Sequence, residues 1–188
     1  MISLPAKIIS GGQTGADRAG LDFAIAAGIA HGGWCPKGRR SQDGVVPGHY
    51  NLQETETSGY EQRTKFNIRD ADATIIFNLT PAMSPGSGLT VSQCRSQEKP
   101  FLLIRPPMGG DFSRRSAEAV AQFLVEHQPA TLNIAGNREE SVRGIHQLVV
   151  NVLKQAWELV PLIASSEHAA RATREQQMGL GLRGPGIR

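Results

Sequence analysis

The sequence predicts an α/β fold: a mostly parallel sheet of about five or more strands with helices over both faces. Three observations carry that reading. Short apolar runs alternate with amphipathic segments from one end of the chain to the other. Runs such as IIF and FLLI are apolar without interruption, as strands buried on both faces are. The glycine-containing turns each follow a predicted strand, which would line them along one edge of the sheet.

Taken in order, residues 6–10 (AKIIS) form a short strand, and residues 15–27 place Ala16, Ala19, Ala24, Ile25 and Ala27 among polar positions at helical spacing. Residues 29–35 make a weaker strand because two glycines interrupt it. Residues 37–59 are irregular, and a loop of that length in a compact domain is expected to serve function. A helix over 60–70 leads into a buried strand at 73–79. A second glycine-containing hinge, SPGSGLT at 84–90, opens a helix through Gln97. A strand at 101–104, a helix at 113–127, a strand at 131–135 and a helix at 139–158 complete the unit.

With 188 residues the chain suits one domain, residues 1–160, followed by an Arg/Gly-rich tail at 161–188. The end of that tail, GLGLRGPGIR, opposes regular structure and is expected to be disordered or capped by a partner. Residues 165–188 hold four arginines against two glutamates, which is most of the formal net charge of +3. The remainder is close to neutral and aromatics are only 5%, so a nucleic-acid interface is not expected on the folded part. No apolar run approaches bilayer length, and MISLPAKIIS lacks the apolar stretch of a signal peptide. The expected location is therefore cytoplasmic. Cys35 and Cys94 have neither zinc nor disulfide spacing, and the five histidines show no ligand pattern.

The candidate site begins at Ser10-Gly11-Gly12-Gln13-Thr14-Gly15. Glycines let the chain turn sharply after a strand, and the following helix start offers free N–H groups and a positive dipole end, the setting for an anion. The spacing is neither the dinucleotide fingerprint nor the lysine-bearing phosphate loop. A tight turn capped by Asp17 is the structural alternative. The second hinge, with Gly86, Ser87, Gly88 and Thr90, would bring another helix N-terminus to the same edge.

The strings ISGGQTGADRAGLDFAIAAGIAHGGWCPKGRRSQDGVVP, TIIFNL, SGLT, KPFLLI and LNIAGNREE, in that order over residues 6–155, resemble the putative molybdenum carrier family. This is a Rossmann-like branch of the superfamily that contains the lysine-decarboxylase-like phosphoribohydrolases. The resemblance implies a Rossmann-like three-layer sandwich, a homo-oligomer, and binding of the molybdenum cofactor or a related phosphorylated pterin, nucleotide or oxyanion. It places Gly11, Gly12, Gln13, Thr14, Gly15 and Asp17 at the phosphate-facing turn, and makes Lys37, Arg39 and Arg40 the cationic wall, with Gly38 among the binding residues between them. Gly136 and Arg138 stand at the end of the last strand, where the family's usual proline is replaced by Asn137.

The related hydrolases read Pro-Gly-Gly-x-Gly-Thr-x-x-Glu at the second hinge, and their glutamate helps to cleave an N-glycosidic bond. Here the corresponding residue is Gln93. An amide neither stabilises an oxocarbenium charge as a carboxylate does nor exchanges a proton near neutral pH. No catalytic residue is assigned, and a binding or carrier protein is expected ahead of a nucleoside-monophosphate hydrolase or a nucleotide sensor. Glu61 and Arg63 on the preceding helix are read as a solvated face.

Overall fold

The computed structural model describes residues 3–106 and 109–181, with side chains described as far as Ser166. Its central sheet holds β1 (Lys7–Ile9), β2 (Ala30–Gly32), β7 (Ala73–Phe77), β8 (Phe101–Ile104) and β9 (Thr131–Gly136). The strands lie in the order β2-β1-β9-β7-β8, and all four pairings are parallel. Between β2 and β7 run β3 (Trp34–Cys35), a short 3-10 turn (Lys37–Arg39), β4 (Arg40–Ser41), β5 (Gly44–Val45) and β6 (Gln53–Glu54).

Among the described residues five helices surround the sheet: α1 (Ala16–Ala26), α2 (Tyr60–Asp70), α3 (Pro85–Ser96), α4 (Phe112–His127) and α5 (Ile145–Gly181). Helices α1 and α4 pack against α5 on one face, and α2 packs against α3 on the other. That division is what right-handed crossovers require: β1–α1–β2 and β8–α4–β9 advance one way along the sheet, while β2–α2–β7 and β7–α3–β8 advance the other. The result is the three-layer α/β sandwich.

Numbered from β9 instead of β1, the order becomes 3-2-1-4-5, the order of a doubly wound nucleotide-binding sheet. The chain therefore runs through this arrangement from a displaced starting point. Its last strand occupies the central position usually taken by the first. The place where the strand order reverses lies between β9 and β7.

The core explains the strand assignments. Ile8, Ile75, Ile76, Phe77, Leu132 and Ile134 are fully buried, and all five residues of β7 are inaccessible. Helix α4 places Ala117, Val120, Ala121 and Leu124 against Val149, Val152, Leu153 and Ala156 of α5, so these apolar faces belong to the core. The Ile145–Ser166 part of α5 is long and apolar enough by composition to cross a bilayer. Its apolar stripe is instead buried in the domain, as in a core helix.

Four sequence expectations change. The strand over 29–35 is two pieces, with β2 in the main sheet and β3 paired to β6, because Gly33 turns the backbone at φ 122°. The irregular 37–59 segment is an ordered excursion built on a small second core of Leu21, Cys35, Val46, Tyr50 and Leu52. The hinge at 84–90 is the first part of α3: Ser84 caps it by accepting from the Ser87 N–H, and Pro85 takes the first helical position. Finally, α5 starts at Ile145, later than expected, and continues through Pro161 to Gly181. Residues 161–181, assigned to the tail, thus extend the last helix of the domain, and residues 182–188 lie outside the described residues.

Candidate ligand-binding site

A cavity of about 280 Å³ opens beyond the carboxyl ends of the strands, where the order reverses. One wall is the end of β9 and the turn after it, Ala135 to Arg138. Opposite stands the start of α3, with Ser84, Pro85, Gly86 and Thr90. Gln13 comes from the β1–α1 turn, Asp17 from the first turn of α1, and Tyr60, Arg63 and Thr64 from α2. This crevice is where open α/β sheets receive ligands.

Its floor is an ion pair. Asp17 is only 3% exposed, and its Oδ2 lies 2.9 Å from Arg63 Nη1 while accepting a long 3.4 Å bond from the Gln13 N–H. Burial pushes the Asp17 carboxyl above the usual range, and the Arg63 guanidinium opposes that rise. Gly11 makes the pair geometrically feasible, since a Cβ there would stand 1.8 Å from Arg63 Nη1. Beside this pair, the Arg138 guanidinium lies 5.2 Å from the centre of the Tyr60 ring and donates to Gln42 Oε1 at 2.7 Å.

Gln13 and Arg63 line the cavity, but Gln13 Nε2 and Arg63 Nε are themselves closed off from it and have no hydrogen-bond partner among the described residues. Buried donors are normally paired, and an unpaired one costs about 1–3 kcal/mol. At the cavity mouth the N-terminus of α3 adds a positive dipole end, and Gly86 carries no side chain to cover it.

The first glycine turn has a different role from the one its sequence implies. Gly12 and Gly15 adopt φ of 74° and 80°. A Cβ at Gly15 would come within 2.6 Å of both the Asn137 carbonyl and the Glu139 nitrogen, and the Ala16 N–H donates to the Asn137 carbonyl. The start of α1 is therefore plugged by the β9–α5 turn. Asn137, the residue in place of the family's proline, accepts from the Leu79 and Thr80 N–H groups and locks that turn to the end of β7.

The family model for the circularly permutated YpsA SLOG family matches residues 8–157. The chain belongs to the circularly permutated YpsA SLOG family. The displaced strand order is the structural form of that permutation. The chain is also similar to the crystal structure of the putative molybdenum carrier protein from Syntrophus aciditrophicus SB, with 41% identity and a TM-score of 0.76 over 81% of this chain and 94% of that one. No curated protein matches it.

In this cpYpsA chain, the cavity gathers Gln13, Asp17, Gly86, Thr90, Gly136 and Arg138 from the residues expected to bind a ligand. Gly11 and Gly12 pack behind it, against Arg63 and against Leu52 and Val46. Ser87 is buried within α3 and hydrogen-bonded to Ser84, and Gly88 packs near Met83; neither lines the cavity. Thr14 and Gly15 face a second, more open depression, where Thr14 Oγ1 donates to Glu140 Oε2 and Asp22 joins Tyr50 to His146.

The basic string lies elsewhere. Lys37, Gly38 and Arg40 are exposed outside the cavity. Arg39 spends its guanidinium on four carbonyls, those of Val46, Pro47, Tyr50 and Leu52, and so clamps the excursion shut. Arg63 and Tyr60 are the site residues that sequence reasoning missed. Arg63 was assigned to a solvated face, but its side chain is 16% exposed and pairs with a residue 46 positions earlier. Asp43 holds Arg18 through two bonds of 2.6 and 2.7 Å, and that pairing takes its carboxyl down to about 2. Burial pushes the thiols of Cys35 and Cys94 above their ordinary range. Among the described residues no group of three or more His, Cys, Asp or Glu side chains is placed to hold a metal ion.

Proposed function

We propose that this protein is a cytoplasmic, oligomeric carrier for the molybdenum cofactor or a related phosphorylated pterin, nucleotide or oxyanion, held in the cavity between β9 and α3. The supporting observation is a crevice at the reversal of strand order that collects Gln13, Arg63 and Arg138 beside the N-terminus of α3. The name of the Syntrophus aciditrophicus protein supports the carrier role.

The residues suit the organic and phosphate parts of such a cofactor. Arg138 and the start of α3 face the phosphate, and Tyr60 offers an aromatic surface beside them. Molybdenum would travel on the pterin, because the described side chains offer it no ligand cluster. Binding is electrostatic, with fixed donors, and breaks no bond.

Native mass spectrometry of protein purified gently from its own host, with metal analysis of the same sample, tests this reading. A bound phosphorylated pterin with stoichiometric molybdenum establishes the cofactor; a bound nucleotide without metal restricts the cargo to nucleotides. Gln93 does not line the cavity, so release of free base from nucleoside monophosphates would be required to revive the hydrolase.

A further inference from the structure

Asp17 is the one carboxylate among the described residues that line the cavity, and its two oxygens differ. Oδ2 is taken up by the Gln13 N–H and by Arg63 Nη1. Oδ1 has no hydrogen-bond partner among the described residues, yet it is not one of the partnerless atoms sealed from solvent. The small surface that Asp17 keeps, 3% of the residue, therefore includes Oδ1, and the opening it meets is the cavity. A nearly buried acceptor looks into the space where a ligand would sit.

The charges around it nonetheless favour an anion. Arg63 from α2 and Arg138 from the β9–α5 turn are the other charged groups on the described lining, and the start of α3 adds a positive dipole end. Burial pushes the Asp17 carboxyl up while Arg63 and, more weakly, Arg138 draw it back, so Arg138 lies within electrostatic range of it. An oxyanion drawn to Arg138 and α3 consequently enters the field of Asp17. Two bare anions facing each other at low dielectric repel strongly. A proton between them turns the repulsion into a charge-assisted hydrogen bond.

We infer that Asp17 selects an oxyanion by its proton: the cavity takes an anionic group that carries an O–H for Asp17 Oδ1, as phosphate does, and rejects fully ionised ones such as sulfate and free molybdate. This rests on the binding reading above and narrows it. Phosphate keeps an O–H through neutral and mildly alkaline pH, whereas sulfate and molybdate keep none there. They bind only when Asp17 itself takes up a proton from solvent. A phosphomonoester, whose second pKa is about 6, holds a proton that Asp17 can accept. Bare molybdate is then poor cargo for this cavity, rejected by an unpaired charge and not by size.

Chemical-shift titrations with inorganic phosphate, sulfate and molybdate, followed at the amides of Gly86 and Gly136, isolate the point. At neutral pH the wild-type protein is expected to bind phosphate at least about ten-fold more tightly than either of the others. Between about pH 5 and about pH 8 the preference for phosphate over sulfate should widen as pH rises, by up to about ten-fold per pH unit, because each sulfate needs one proton on Asp17. Asp17→Asn is neutral and donates to any oxygen, so it should level the three anions and flatten the pH series. Equal affinities in the wild type, a ratio that does not change with pH, or tightest binding of molybdate overturns the inference and leaves anion binding standing. No shift at either glycine with any of the three overturns both. The wild-type series decides the matter even if the variant fails to fold.

Discussion

Arg63 on α2 reaches across 46 residues of sequence to place Nη1 2.9 Å from the buried carboxylate of Asp17 on α1. The contact joins helices from opposite faces of the sheet through a gap that only a glycine at position 11 leaves open. Removing one member strands the other. Arg63→Ala is expected to cost about 3–5 kcal/mol near neutral pH, the range for breaking a buried pair.

That loss should depend on pH with a definite sign. The folded Asp17 carboxyl lies above its unfolded value, so its contribution is fully present below the unfolded value near 3.8 and declines as pH rises through the folded one. Without Arg63 the rise is larger. Urea melts at a series of pH values should show the variant losing stability more steeply than the wild type as pH climbs. Parallel slopes would mean that the pair is electrostatically inert.

Asp43 predicts the opposite sign at the acid end. Arg18 holds its carboxyl down to about 2, so its contribution is present above the unfolded value and is lost as pH falls towards 2. Asp43 is 44% exposed, which limits the effect to about 1 kcal/mol or less. Acid titration of Asp43→Asn should lack this component; an unchanged acid transition would assign the wild-type loss to other carboxylates.

Two arginines adjacent in sequence should behave differently. Arg39→Ala removes donors from four backbone carbonyls and is expected to destabilise by about 2–4 kcal/mol, with faster amide exchange across residues 45–54. Arg40 is exposed, and its alanine variant should stay within about 0.5 kcal/mol of wild type. Equal effects would refute the clamp.

Glycines separate in the same way. Gly15→Ala sets a Cβ against backbone atoms at 2.6 Å with φ at 80°, for an expected cost of at least about 1–3 kcal/mol. Gly86→Ala meets nothing within 4 Å and should leave stability unchanged or raise it by up to about 1 kcal/mol, while crowding the cavity mouth and weakening a phosphorylated ligand. Thermal melts and ligand titrations of both variants separate the packing glycine from the binding one.

Much of this was legible in the chain itself. Uninterrupted apolar runs located β7 and β8, and helical spacing placed α2 at its observed bounds, because burial dictates those patterns locally. The turn that opens α3 was misread as a hinge because its glycines outweighed the Ser84-Pro85 start signal. Arg39 looked like a ligand residue because a charged side chain satisfied by carbonyls leaves no trace in composition. Arg63 was invisible as a site residue for the complementary reason: its partner is remote in sequence and adjacent only after folding. Strand order also depends on such remote pairings, so the displaced starting point appeared only with the sheet.

That displaced start bears on how the protein is made. On the ribosome, the pairs β2-β1 and β7-β8 emerge first, with the slot between β1 and β7 vacant until residues 131–136 are synthesised. Both inner edges stay unpaired through most of translation, which exposes two templates for wrong pairing. Insertion of β9 then closes the sheet and brings the wall carrying Gly136 and Arg138 against the wall carrying Gln13 and Arg63. Until residues 131–138 are in place, the crevice lacks the wall that carries Gly136 and Arg138, so a chain cut short before β9 has no complete pocket.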